Sequence, residues 1–124
     1  MSADLPFRTL TPIELKRRLD GSVPLIVLDV REHSERALCK LNPPPPHMDQ
    51  HLPLTAFAEG WNALRERLTQ PDHQGRPIVV YCHHGVRSQR VAEFLGANGL
   101  APVYNLQGGI DAWAVEVDPT VTRY

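Results

Sequence analysis

The sequence predicts one α/β domain that is built around a parallel β-sheet. Two nearly continuous apolar runs, residues 24–30 and 77–81, are typical of strands that are buried on both faces. Amphipathic helical patterns alternate with these runs, and such alternation favours parallel pairing of the strands. The length of 124 residues suits a single domain, residues 1–124, and is too short for two.

The first predicted elements are an edge strand over residues 7–10 and a helix that follows it directly. Thr11 is the expected N-cap, Pro12 occupies the first helical position, and the Glu14 side chain can accept a hydrogen bond from the cap backbone. Gly21 is expected to end this helix.

The segment after the first apolar run predicts a short helix over residues 31–40, with Ser34 as the candidate cap. Residues 42–49 contain four consecutive prolines and predict an extended surface loop, because proline cannot donate to a sheet or continue a helix. A short third strand is expected over residues 51–54.

The longest helical pattern covers residues 55–70. Its apolar side chains are spaced by four, three and four residues and form one stripe, which predicts that Trp61 belongs to the core. The remaining predicted elements are a helix over residues 88–98 with Val91, Phe94 and Leu95 facing inward, a strand over residues 103–106, and a last helix over residues 110–115.

Composition and charge exclude several classes of protein. Thirteen Lys and Arg against fourteen Asp and Glu argue against nucleic-acid or anionic-membrane partners. Two cysteines are too few for a disulfide framework or a four-cysteine zinc site. No apolar run reaches the ~20 residues of a membrane span, and no secretory signal is visible, so we expect a cytoplasmic protein.

The residues most indicative of chemistry follow the second apolar run. Cys82 lies where a strand ends and a helix is about to begin, and ligands of parallel sheets bind at the carboxyl ends of strands. The helix N-terminus and the positive charge of Arg87 both favour the thiolate form of this cysteine. Cys82 is therefore the candidate nucleophile.

The loop after Cys82 is suited to an anion. Residues 83–88 contain no proline, so six successive backbone N–H groups are available to point toward the sulfur. Gly85 allows the turn a positive φ. The predicted anion-binding or persulfide-binding loop comprises His83, His84, Gly85, Val86, Arg87 and Ser88.

Four stretches together resemble a single-domain rhodanese. They are the tetrapeptide Asp-Val-Arg-Glu at 29–32, the cysteine loop, the helix after it, and the segment Leu-Gln-Gly-Gly-Ile-Asp-Ala-Trp at 106–113. The resemblance implies a rhodanese-like fold, a five-stranded parallel sheet flanked by helices on both faces. It also implies that Cys82 carries a persulfide and that Asp29 and Arg31 are buried polar supports near the loop. Residues 42–53 depart from the family's usual segment before the third strand.

The predicted function is a thiosulfate sulfurtransferase-type reaction. The Cys82 thiolate attacks the sulfane sulfur of thiosulfate or a related donor, and the resulting persulfide passes its sulfur to a thiol, a protein thiol or cyanide. This two-step exchange needs no cofactor and no metal.

Three alternatives remain at this point. The domain could be a non-catalytic persulfide carrier or sensing module, or a small cysteine phosphatase or arsenate reductase. Phosphatase loops of this kind place five residues between cysteine and arginine, whereas only four separate Cys82 from Arg87. The third alternative, an interaction module around the prolines of residues 43–46, requires an inert Cys82.

Several other residues have less specific interpretations. His83 and His84 are expected to line the mouth of the loop rather than bind a metal, because adjacent side chains in a tight loop should point apart. Two other histidines of the proline-rich region, His47 and His51, are expected to be solvated. Cys39 has no reactive setting, although a resolving-thiol role stays open. The pair Gly108-Gly109 predicts a tight turn.

Overall fold

A computed structural model describes residues 6–100 and 102–124 of the chain. Strands and helices alternate in it as the sequence predicts. The elements are β1 (Arg8–Leu10), α1 (Pro12–Asp20), β2 (Ile26–Asp29), α2 (His33–Leu38), β3 (Met48–His51), a 3₁₀ turn (Leu54–Ala56), α3 (Phe57–Leu68), β4 (Ile78–Tyr81), α4 (Val86–Ala97), β5 (Val103–Leu106) and α5 (Gly109–Glu116).

The five strands form one parallel sheet in the order β1-β5-β4-β2-β3, which confirms the predicted fold class. Every residue of β2 and β4 is buried, because these strands lie inside the sheet and are covered on both faces. Asp29 pairs with Tyr81 in register, so the carboxyl ends of β2 and β4 lie side by side. The predicted edge position of β1 is also confirmed.

Alternate residues of the central strands enter two separate apolar clusters. Ile26 and Leu28 belong to the cluster that includes Leu64 of α3 and Leu95 of α4. Val27, between them, belongs to the opposite cluster, which includes Leu15 of α1 and Ile110 and Trp113 of α5. Helices therefore cover both faces of the sheet, as the resemblance implies.

The first helix begins as its sequence predicts. The Thr11 hydroxyl accepts a hydrogen bond from the Glu14 N–H at 3.1 Å, and the Glu14 carboxylate accepts one from the Thr11 N–H at 2.9 Å. This reciprocal pair satisfies two N–H groups that the start of a helix leaves without partners.

The third strand is displaced from its predicted position. It covers Met48–His51 rather than residues 51–54, because its start is fixed by His47. The His47 Nδ1 accepts from the Leu25 N–H at 3.0 Å, and its Nε2 donates to the Leu19 carbonyl at 2.9 Å.

The two histidines of this region are not solvated, so that expectation is wrong. His47 is buried, and both of its ring nitrogens have backbone partners. His51 is half-buried, and its Nε2 donates to the Arg31 carbonyl at 2.7 Å. The preceding prolines at residues 44–46 are exposed, in agreement with the predicted surface loop.

Two helix starts also differ from the prediction. Helix α2 is capped by Glu32 rather than Ser34, and the Glu32 N–H donates to the Glu35 carboxylate at 3.1 Å. Helix α4 begins at Val86 rather than Ser88, so the end of the cysteine loop forms the first turn of that helix.

The aromatic side chains of α3 and α4 lie nearer the surface than predicted. Phe94 is exposed rather than inward-facing, and its ring contacts Trp61 edge-on at a centroid distance of 4.9 Å. Trp61 is half-buried and packs against the core, so its predicted core position holds for part of the side chain.

Within residues 6–100 and 102–124, no helix combines the length and the apolar character that crossing a bilayer requires.

Candidate functional site

Cys82 follows β4 directly and is buried, with 1% of its surface exposed. Its Sγ accepts hydrogen bonds from the Gly85 N–H at 3.2 Å and the Ser88 N–H at 3.4 Å. The Ser88 hydroxyl lies 3.3 Å from the same sulfur. Two of the six N–H groups of the loop therefore reach the thiol sulfur itself, together with one hydroxyl.

Helix α5 binds two carbonyls at the start of the loop. The Cys82 carbonyl accepts from the Ile110 N–H at 2.9 Å, and the His83 carbonyl accepts from the Asp111 N–H at 3.1 Å. These donors belong to the first turn of α5, where N–H groups lack partners within the helix. Helix α5 thus holds the loop in the orientation that turns its N–H groups toward the sulfur.

Glycines are required where the loop and α5 meet. Gly85 has the predicted positive φ, 96°, and forms the N-cap of α4. Gly109 has a φ of 63°, and a Cβ at that position would overlap the carbonyls of Cys82 and His83. The predicted tight turn at Gly108-Gly109 is confirmed, and its glycines allow α5 to approach the loop closely.

A buried polar residue of β5, Asn105, also contacts the loop and was not predicted from the sequence. The Asn105 side chain accepts a hydrogen bond from the Ser88 hydroxyl at 2.6 Å and donates to the Gly85 carbonyl at 3.1 Å. Asn105 is buried and interrupts an otherwise mostly apolar strand. That interruption is the sequence signal that could have identified it.

Arg87 does not point freely at the sulfur, because Glu35 of α2 binds it through both terminal nitrogens, one of them at 2.8 Å. The side chains are 34% and 17% exposed. Hydrogen bonds from Arg87 lower the pKa of Glu35 to about 2. In turn, the hydrogen bonds to Glu35 are the main cause that raises the pKa of Arg87. Glu35 was not recognised from the sequence.

Asp29 and Arg31 form a fully buried pair, as the resemblance implies. Arg31 donates to both carboxylate oxygens of Asp29, from Nε at 2.9 Å and from Nη2 at 2.8 Å. Burial by itself would raise the pKa of Asp29, but the hydrogen bonds and charge of Arg31 hold it below its usual range. Arg31 also donates to the Cys39 carbonyl at 2.7 Å, so this pair braces the C-terminal end of α2.

The side chain of Tyr124 completes the surroundings of the loop. Its hydroxyl accepts from Arg31 Nη1 at 3.0 Å and donates to Glu35 Oε2 at 2.9 Å. Its ring stacks on His83 at a centroid distance of 3.9 Å. Nothing in the sequence pattern singles out this residue, which is 89 residues from Glu35 along the chain.

The two loop histidines do not point apart, so that expectation is wrong. Their rings stack at 3.8 Å with an interplanar angle of 27°. Burial is the main cause that lowers the pKa of His83, which favours the neutral form of this ring. Val86, the remaining loop residue, exposes its side chain at the start of α4.

One group among the described residues has side chains of the metal-binding type, namely His83, His84 and Asp111, whose donor atoms lie within 4.8 Å of one another. Stacked imidazoles direct their nitrogen lone pairs side by side rather than toward a common point. Asp111 is also engaged by Arg123 at 2.9 Å. We therefore assign no metal to this group.

Comparison with known proteins connects this site to a family. Residues 11–116 match the model of the rhodanese-like domain. The protein named adenylyltransferase and sulfurtransferase MOCS3 from Xenopus laevis is 32% identical over 123 residues, which cover 90% of this chain and 26% of that protein. The thiosulfate sulfurtransferase GlpE from Shewanella oneidensis is 50% identical over 38 residues, 31% of this chain and 38% of its own.

Solved structures agree with these matches. A rhodanese-like domain protein from Staphylococcus aureus superposes with a TM-score of 0.68 at 27% identity, and the match covers 95% of this chain and 99% of that one. The chain spans about a quarter of the length of the MOCS3 relative.

Proposed function

Because this chain belongs to the rhodanese-like domain family, we propose that it transfers sulfane sulfur through a persulfide on Cys82. The observation that carries the proposal is the position of the Cys82 sulfur. It lies at the start of α4, within hydrogen-bond distance of the N–H groups of Gly85 and Ser88. Such prearranged donors stabilise negative charge on a sulfur without reorganising during the reaction.

In the first step, the Cys82 thiolate attacks the outer sulfur of a donor such as thiosulfate. A new S–S bond forms to Cys82, the S–S bond of thiosulfate breaks, and sulfite leaves with the electron pair of that bond. The product is the persulfide anion on Cys82. Loop N–H groups that do not reach the thiol sulfur are available to this outer sulfur.

In the second step, a nucleophile takes the outer sulfur and restores the thiolate. Cyanide yields thiocyanate, whereas a thiol yields a new persulfide on the acceptor. Atoms and charges balance in both steps without a redox reagent, so the proposal includes no cofactor. It does require Cys82 to be a free thiol, as it is here, which suits a reducing compartment such as the cytosol.

Arg87 is proposed to assist the anionic groups of donor and persulfide. Its present partner is Glu35, so binding of a donor anion through Arg87 involves exchange of one anionic partner for another. Charge-assisted hydrogen bonds of this kind are among the stronger ones in proteins.

The spacing of the loop disfavours the phosphatase alternative. With four residues between Cys82 and Arg87, the Gly85 and Ser88 N–H groups already reach a single sulfur at 3.2 and 3.4 Å. A tetrahedral phosphate needs a wider ring of donors. In such a ring the N–H groups would lie too far from a single sulfur to bind it well, because hydrogen bonds weaken beyond ~3.2 Å. Failure of phosphate and arsenate to protect Cys82 from alkylation would support this assignment.

The direct test is the intact mass of the protein after incubation with thiosulfate. We expect a gain of one sulfur atom that cyanide or a thiol reverses. Cys82→Ser should abolish this gain, because a serine alkoxide is not accessible at neutral pH, and Cys39→Ser is the matched control that should retain it. Sulfur transfer by Cys82→Ser at the native rate would refute the proposed mechanism.

A further inference from the structure

The segment after α5, residues 118–124, packs against α5 and reaches the cysteine loop. It lies outside the part of the chain that matches the family model, residues 11–116. Val121 packs against the apolar cluster of α1 and α5, and Arg123 donates to the Asp111 carboxylate at 2.9 and 3.2 Å. These contacts anchor the segment on α5 and bring Tyr124 to the cysteine loop.

Tyr124 connects the two ends of that loop. Its ring lies on His83, the residue directly after Cys82, with an interplanar angle of 11°. Its hydroxyl donates to Glu35, which in turn binds Arg87 at the other end of the loop. One side chain and its carboxylate partner therefore span the loop from His83 to Arg87.

The Cys82 and Tyr124 side chains differ in their exposure. The proposed nucleophile Cys82 has only 1% of its surface exposed, whereas Tyr124 is 37% exposed. A side chain at the surface that is held by two hydrogen bonds and one ring contact can be displaced without disturbing the core. The buried Asp29–Arg31 pair has its own two hydrogen bonds, at 2.9 and 2.8 Å, which do not involve Tyr124.

We propose that Tyr124 is a specificity-determining residue, which closes the entrance to Cys82 and limits the size of the reagents and sulfur donors that reach it. The part of this proposal that concerns sulfur donors rests on the proposed function. The closure itself concerns only how readily a reagent reaches the Cys82 thiol. It can therefore be measured with reagents that need no sulfur transfer.

The test compares the alkylation rate of Cys82 by a small reagent, iodoacetamide, and a bulky one, N-phenylmaleimide. Mass analysis of the peptide that contains Cys82 separates its reaction from that of Cys39. The variants are Tyr124→Ala, which removes the ring, and Tyr124→Phe, which keeps the ring but removes the hydroxyl. Tyr104→Phe is the matched control, because the Tyr104 hydroxyl also accepts from an arginine, Arg18 at 3.1 Å, on the α1 face of the sheet.

We expect Tyr124→Phe to raise both alkylation rates by about tenfold, the effect of losing a hydrogen bond to a charged group that keeps the entrance closed. Tyr124→Ala should raise the N-phenylmaleimide rate by a larger factor than the iodoacetamide rate, since the ring that excludes bulk is gone. Tyr104→Phe should change neither rate.

The second measurement compares the kcat/KM values of a small and a bulky sulfur donor. Tyr124→Ala should shift the ratio of kcat/KM values toward benzenethiosulfonate and away from thiosulfate, whereas Tyr124→Phe should preserve the native size preference. Unchanged alkylation rates and an unchanged donor ratio in Tyr124→Ala would overturn the proposal. If alkylation responds as expected while the native protein gains no sulfur from either donor, closure by Tyr124 stands and the sulfurtransferase assignment fails.

Discussion

Two arginine–carboxylate pairs lie near the carboxyl ends of β2 and β4 and differ in their surroundings. Asp29 and Arg31 have fully buried side chains, whereas Glu35 and Arg87 are 17% and 34% exposed. Both arginines bind their carboxylate through two nitrogens. The chemical groups are alike, so the difference in solvent access separates the two pairs.

The buried pair has no freedom to exchange partners. Besides binding Asp29, Arg31 donates to the Glu35 and Cys39 carbonyls and to the Tyr124 hydroxyl. Removal of Arg31 would leave the buried Asp29 carboxylate with Arg36 at 3.0 Å and the Tyr81 hydroxyl at 3.2 Å, which replace only part of what Arg31 supplies. Arg87, in contrast, can leave Glu35 for another anion because water reaches both side chains. The first pair therefore supports the structure, and the second is available for a reaction.

Substitution of Arg31 should give the largest effect. Arg31→Met removes the main partner of the buried Asp29 carboxylate, and we expect a loss of about 3–5 kcal/mol in the free energy of unfolding. Urea denaturation followed by circular dichroism measures this loss. Lys40→Met, at an exposed pair with Asp49, is the control and should change stability by less than about 1 kcal/mol. Equal effects of the two substitutions would break the comparison.

Substitution of Arg87 should affect activity more than stability. Arg87→Ala would remove the charge-assisted contact that we propose to the reacting anions, and we expect a loss of about 1.5–3 kcal/mol in kcat/KM for thiosulfate. Arg90→Ala, one turn further along the exposed face of α4, should lose less. Steady-state kinetics and thermal unfolding of both variants provide the measurements, and equal kinetic losses would contradict the distinction.

The stability that the Glu35–Arg87 pair contributes should depend weakly on pH. The folded pKa of Glu35, about 2, lies below its usual value of 4.5, so the protein binds this proton less readily when folded. The stabilisation is therefore complete above pH 4.5 and is lost as the pH falls toward 2. Screening at the surface limits it to about 1 kcal/mol. The stability difference between native protein and Glu35→Gln should shrink over this pH interval, and a constant difference would argue against the ion pair.

The fold was predictable wherever its cause is local. The apolar runs of β2 and β4, the capping pair of Thr11 and Glu14, and the positive φ of Gly85 each depend on a few adjacent residues. The third strand was misplaced because its start depends on His47, which bonds to residues 22 and 28 positions away.

The cysteine loop could be located from its sequence, but its partners could not. Glu35 is 52 residues from Arg87, Asn105 is 17 from Ser88, and Tyr124 is 93 from Arg31. Such contacts follow from the course of the whole chain and leave no local pattern. The stacking of His83 on His84 was missed for a related reason, since Tyr124 covers the outer side of His83.

The hydrogen bonds from α5 to the carbonyls of Cys82 and His83 have a further consequence. A peptide group is a dipole, and binding one end of it fixes the direction of the other. The direction of these loop peptides is thus fixed by a helix that bears no cationic side chain, and we propose that it favours negative charge on the Cys82 sulfur. Dissolved ions screen exposed charges but do not reorient buried peptides. Affinity of the loop for a sulfur anion should accordingly persist at ionic strengths that suppress the contribution of Arg87.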